Sequence, residues 1–302
     1  MTRRCSTLAS FCLVATLSGC DAPEDVPAAD PGAAEAEPNE PEVETPEPAD
    51  DDEAADQDEC EPAPVVRPRV MFVLDKSSSM TNSGKETGAP AEDGLSRWGQ
   101  LHAVVGALAD EMEGEAVMGA VLFPSTYAET AREATCDVRA VPEAAVGPYR
   151  AADLVGLLPP ADAAMFLGGS PAQAAYATAL DHLATLGGAA PTAIVLISDG
   201  GLNCVDDLAP LDSADDGLAE LVTFARDSLQ IQTFVIGVGV APGDQVVPKG
   251  DPDAALREIA LAGGAAHGER GYFTGSDAQP LAAALATFMD RAGGDAATTA
   301  CH

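Results

Sequence analysis

Val70-Met71-Phe72-Val73-Leu74-Asp75-Lys76-Ser77-Ser78-Ser79-Met80 is the stretch on which the reading of this chain turns. Its first five residues are apolar without alternation, which suits a strand covered on both faces rather than one facing water. Such cover belongs to parallel sheets flanked by helices, and ligands of open sheets bind beyond the carboxyl ends of the strands. A carboxylate and three hydroxyls follow the run directly. They stand where function is expected.

A second run of this kind, 193–197, ends in Ser198-Asp199-Gly200, and Gly168-Gly169-Ser170-Pro171 opens the helix before it. Further strands are predicted at 117–123, near 137–141, at 233–240 and at 272–274. Helical spacing recurs at Leu101, Val105, Leu108 and Met112, then at Tyr176, Leu180 and Leu183, and over 218–229, 254–261 and 281–289. Strands alternating with helices imply a mostly parallel sheet with helices on both faces. Asp75, Ser77, Ser79, Ser170 and Asp199 then offer two carboxylates and three spaced hydroxyls without imidazole or thiolate. That set suits a hard, oxygen-preferring cation, Mg²⁺ or Mn²⁺.

Asp75-x-Ser77-x-Ser79 after a first strand, Ser170, and Asp199 after a later strand resemble the metal-ion-dependent adhesion site of von Willebrand factor type A (VWA) domains. The resemblance spans about 70–289 and includes Gly237-Val238-Gly239 and the Gly263-Gly264 approach to Tyr272. Ser78 stands where Gly is frequent and Ser170 where Thr is frequent, and Ser170 keeps the oxygen donor. The resemblance implies a Rossmann-like, doubly wound α/β fold with one short antiparallel edge strand. It implies that Ser77 and Ser79 bind the cation directly, Ser170 directly or through water, and Asp75 and Asp199 mainly through waters. An open coordination position would take an acidic side chain of a protein ligand. The expected function is therefore partner binding rather than catalysis.

Two alternatives stand beside it. A secreted hydrolase would use Ser170 as nucleophile, yet Ala172 stands where G-x-S-x-G requires glycine. Of the histidines, His102 and His182 fall in helices and His267 in a Gly-rich loop. A structural envelope subunit would use the metal only for stability. No Walker loop is present, since Gly84-Lys85 is followed by Glu86. Flanking loops 80–94 and 147–167 are expected to form the rim of the site, and Asp212, Asp215 and Asp216 a solvated surface.

Outward from the domain, the chain begins with an address. Arg3 and Arg4 precede a mostly apolar run, 8–17, too short to anchor in a bilayer, which reads as a signal peptide over 1–19. Leu17-Ser18-Gly19-Cys20 resembles the bacterial lipobox, which implies acylation of Cys20 and a lipid-anchored place in the cell envelope. Residues 20–62 form an acidic tether: 18 Asp/Glu and 8 Pro with no Lys or Arg cannot offset their ordering entropy by burial. Residues 63–302 form the VWA domain, itself at −18 within a chain of net charge −34. That acidity argues against nucleic-acid binding, which needs Lys/Arg to displace counterions. Four cysteines remain beyond Cys20, and export suggests two disulfides, expected as Cys60–Cys301 and Cys136–Cys204.

Overall fold

The decisive run forms β1 (Arg69–Asp75), and its burial explains the missing alternation. Val70, Phe72 and Leu74 enter one hydrophobic cluster while Met71 and Val73 enter another on the opposite face. The structure, a computed structural model, describes residues 66–81, 95–125, 136–163, 166–204, 215, 217–240, 245–246 and 249–297, without the side chains of 245, 246, 249 and 291–297.

β1 pairs in parallel with β2 (Val117–Phe123) on one side and β4 (Thr192–Ser198) on the other. The sheet continues from β4 to β5 (Gln232–Gly237) and β8 (Phe273–Thr274), both parallel. Beyond β2 lies β3 (Ala144–Gly147), antiparallel, so the strand order is β3-β2-β1-β4-β5-β8. A separate antiparallel pair joins β6 (Gln245–Val246) to β7 (Lys249–Gly250). One face carries α1 (Arg97–Met112), the short α2 (Ala151–Val155) and α6 (Ala278–Ala297). The other carries α3 (Ala172–Thr185), α4 (Leu218–Leu229) and α5 (Pro252–Ala262). This is the doubly wound, mostly parallel α/β arrangement that the resemblance implies, with its antiparallel edge strand. Among the described residues, no helix is long and apolar enough to cross a membrane.

Three local expectations are corrected. The edge strand is not at 137–141: Val141 is 65% exposed and the following Pro142 has no N–H to donate, so pairing begins at Ala144. The 147–167 segment is more than a rim, because it contains α2 and buries Leu154, Leu158 and Phe166 in the core. Asp215 is not merely solvated. Its Oδ1 accepts from the N–H groups of Gly217 and Leu218 at the start of α4, and its Oδ2 from that of Gln173 in α3. A carboxylate there satisfies orphan donors and complements the helix dipole. Asp212 and Asp216 lie outside the described residues, as does most of the 80–94 loop.

One buried polar pair ties the α3 side to the sheet. The Tyr176 hydroxyl lies 2.6 Å from Thr233 Oγ1, both side chains being out of solvent. Tyr176→Phe leaves the threonine hydroxyl without that partner in the interior, and should lower stability by about 1–3 kcal/mol. A shift of the urea midpoint at unchanged slope would show it, and adding Thr233→Val should recover part of the loss.

Candidate functional site

The order of the strands creates a crevice. The chain steps outward from β1 through β2 to β3, then returns to lay β4 on the other side of β1. Loops leaving the carboxyl ends of β1 and β4 diverge, which is where open α/β sheets receive ligands. Asp75 ends β1, and Asp199 follows β4 by one residue.

Asp75 is fully buried and gathers the rest. Its Oδ1 accepts from the Ser77 N–H at 2.8 Å, and its Oδ2 from the hydroxyls of Ser198 at 2.6 Å and Ser170 at 3.4 Å. Ser77 Oγ in turn lies 2.9 Å from Ser79 Oγ. Four of the five expected residues therefore form one connected cluster. Asp199 joins it by charge. Burial, and then the Asp199 carboxylate, push the Asp75 carboxyl up from its ordinary 3.8 to about 7, against the lowering effect of its Ser198 and Ser77 hydrogen bonds.

Short-range bonds lock the loops together. The Ser78 N–H donates to Gly168 O, and the Phe166 N–H to the Thr81 hydroxyl, so the loop after β1 is fastened to the segment before Ser170. Residues 170 and 203 are clipped twice: Ser170 N–H donates to Asn203 Oδ1 at 2.7 Å and Asn203 N–H to Ser170 O at 3.0 Å. Next to Asn203, Cys204 is joined by a disulfide to Cys136. Cys60, Cys301 and Cys20 lie outside the described residues. Gly200 has φ +87°, and a Cβ there would stand 2.7 Å from the Pro252 carbonyl oxygen, so the turn after Asp199 requires glycine.

Sequence reasoning missed three participants. Ser198 looks from the sequence like no more than a strand ending, although its Oγ both donates to Asp75 and accepts from the Gly200 N–H. Asn203 lies beyond the motif, with no spacing signal to mark it. Arg97 is the most consequential. At the start of α1, its Nη1 donates to Asp199 Oδ2 at 2.9 Å and Ser79 O at 3.1 Å, while its Nε donates to Gly239 O at 2.9 Å. A cationic residue among few in an acidic chain was the available clue.

The donors fit a hard cation. Two ligands on adjacent corners of an octahedron of radius about 2.1 Å are about 3.0 Å apart, close to the Ser77–Ser79 oxygen separation of 2.9 Å. Two neighbouring buried carboxylates, one held from ionising partly by the other, are a site that gains from added positive charge. Among the described residues, no group of three or more His, Cys, Asp or Glu is placed to hold a metal ion. Any cation here would rest on hydroxyls and water, with the two carboxylates behind them. The Ser170 hydroxyl donates to the Asp75 carboxylate, and no histidine–Ser170 hydrogen bond occurs among the described residues. His182 Nε2 instead accepts from the Val146 N–H of β3, and His267 stacks on Phe273.

No protein-family model matches the sequence, and no curated protein matches it. Solved structures do match. The pilus adhesin SpaC from Lactobacillus rhamnosus GG aligns with 76% of this chain and 31% of its own, at 13% identity and a TM-score of 0.51. The PilB minor pilin from Streptococcus sanguinis aligns with 76% of this chain and 62% of its own, at 16% identity and a TM-score of 0.47. A von Willebrand factor type A structure from Catenulispora acidiphila gives 74%, 43%, 13% and 0.42 for the same quantities. The likeness to SpaC is one of fold. The chain spans less than a third of that adhesin's length.

A pH dependence follows from Asp75. Its carboxyl releases a proton near pH 7 in the folded chain but near 3.8 when unfolded, so the unfolded state binds fewer protons between those values. In chelator, stability should fall as pH rises from about 4 to about 7 and then level off. Asp75→Asn should flatten that slope. Urea titrations at half-unit pH intervals measure both.

Proposed function

We propose that the cluster at the carboxyl ends of β1 and β4 holds Mg²⁺ or Mn²⁺ and through it grips an acidic side chain of a partner protein. In this reading the domain is carried on the acidic tether of an envelope lipoprotein anchored through Cys20. The observation that carries it is the junction at the buried Asp75 carboxylate, which accepts from the Ser77 N–H and the Ser170 hydroxyl, with the Ser77 and Ser79 hydroxyls 2.9 Å apart on the adjoining turn.

Each residue has a task that its position supports. Ser77 and Ser79 present neighbouring oxygens from one short turn, Ser78–Met80 being a single 3-10 turn. Ser170 presents its hydroxyl from the opposite loop, held in place by Asn203. Asp75 orients two of these serines, through the Ser77 N–H and the Ser170 hydroxyl. Asp199 adds charge from the β4 side. When bound, the cation supplies a Lewis-acidic position for a carboxylate oxygen. Neutral hydroxyls leave its charge largely uncompensated, which favours an anionic partner group. The acidic domain would otherwise repel such a partner.

The fold likeness to a pilus adhesin accords with a binding role at a cell surface. The hydrolase alternative has no histidine bonded to Ser170 among the described residues, and the carboxylate 3.4 Å from that hydroxyl is bonded more closely by Ser198, at 2.6 Å.

Isothermal titration tests the reading directly. The purified chain should bind Mn²⁺ or Mg²⁺, and Asp75→Ala should abolish binding while the circular dichroism spectrum stays that of a folded α/β protein. A folded wild type that takes up neither ion rejects it. Retention of an envelope partner should also be lost on chelation, and return on adding Mg²⁺.

A further inference from the structure

Arg97 sits inside the site just described without being among its oxygen donors. Its guanidinium touches all three loops at this edge: Ser79 O after β1, Asp199 Oδ2 after β4 and Gly239 O after β5. The side chain is only 13% exposed and Asp199 only 6%. The fit is close on the β5 side, where Gly239 adopts φ +54° and a Cβ would stand 2.8 Å from Arg97 Cγ. Any side chain at 239 would therefore displace the arginine. Ser96 caps the helix by accepting from the Gly99 N–H, which fixes where α1 starts and so where residue 97 projects from.

We infer that Arg97 is the resident counter-ion of this site: it neutralises Asp199 in the metal-free domain and sets the affinity for a divalent cation by competing for that carboxylate. The inference rests on the proposed cation site. A cation served by Asp199 must share it with a guanidinium at 2.9 Å, and the two positive charges repel across a largely buried space. Cation binding is then weaker than the oxygens alone would allow. It also becomes coupled to the Gly239 loop, since the same guanidinium holds both. The buried Lys76, next in sequence to Asp75, is a separate matter. Its ammonium lies 5.6 Å from the Phe166 ring centroid.

The experiment compares wild type, Arg97→Gln and Arg97→Lys in the full chain by Mn²⁺ titration calorimetry and by thermal melting in chelator. Arg97→Gln should bind Mn²⁺ more tightly by on the order of tenfold or more, and melt earlier than wild type in chelator. Arg97→Lys keeps the charge but not the three-way geometry. It should hold Mn²⁺ affinity near that of wild type while also melting earlier. In chelator, the losses from Arg97→Gln and Asp199→Asn should be strongly non-additive, because either removes the same ion pair. Wild type that binds Mn²⁺ with Arg97→Gln binding equally or less tightly overturns the inference and leaves the cation site standing. If neither wild type nor Arg97→Gln binds, the cation site fails and the inference with it. Binding by Arg97→Gln alone rejects the cation site in the wild-type chain and overturns the inference that Arg97 tunes its affinity.

Discussion

A carboxylate buried at the end of a central strand is the constraint around which this domain is arranged. Asp75 is out of solvent, beside a second carboxylate, and ionising it there is costly enough to hold its proton until about pH 7. Such a group persists only if its lone pairs are met, since an unsatisfied buried carboxylate would cost more than most single contacts return. The chain meets them with one backbone N–H and two hydroxyls, each from a different segment. Those segments are brought side by side by the strand order. A sheet in which β4 lay beside β2 would leave Asp75 without Ser198 and Ser170.

The parallel sheet makes this arrangement rigid before any ligand arrives. β1 is paired with β2 through Asp75 and with β4 through Leu74, and is buried on both faces, which fixes its carboxyl end. The loops are less constrained by the sheet and are fastened to one another instead. Gly168 O and Thr81 Oγ1 tie the first loop to the segment before Ser170, and Asn203 ties that segment to the loop after β4. Trp98 supports them from below, its ring edge-on to Phe166 and its indole N–H donating to Pro160 O. The disulfide from Cys204 to Cys136 links the β4 loop to the segment that follows β2. Preorganisation of this kind lowers the ordering cost of binding.

How much of this was written legibly in the sequence depends on whether a residue acts within its own segment or across segments. β1 was legible because burial on two faces erases alternation, and Asp75, Ser77 and Ser79 because they follow it directly. Asp199 was legible because it follows the second apolar run, and Ser170 as a hydroxyl opening the preceding helix; the resemblance added the roles that spacing cannot assign. Arg97 acts across 102 residues to reach Asp199 and 142 to reach Gly239, and a lone arginine opening an amphipathic helix carries no local mark of either. Asn203 is in the same position with respect to Ser170. Asp215 was misread for a related reason: an acidic loop looks solvated until the helix N-termini it serves are placed beside it. The edge strand was misplaced by a few residues because it is paired on one side only. There Pro142 and the exposed Val141 outweigh apolar content.

Under the proposed reading, charge at the site accounts for how an acidic domain would present a face to an acidic partner. Once Asp75 is ionised, two carboxylates and one guanidinium sum to −1, in keeping with a domain of −18. A divalent cation brings the same cluster to +1, and the hydroxyls that would hold it add no negative charge. Without Arg97 the loaded cluster would be neutral. With a third carboxylate among the ligands it would stay at or below zero and give a partner carboxylate no electrostatic reason to approach. Serines as the proposed ligands and an arginine on the carboxylate behind them would thus act in the same direction. Both would leave positive charge in the crevice, and both would make that charge depend on the ion being present. Screening at physiological salt removes interactions beyond about 8 Å, so the repulsion from the rest of the acidic domain is felt far less at the crevice than the charge within it.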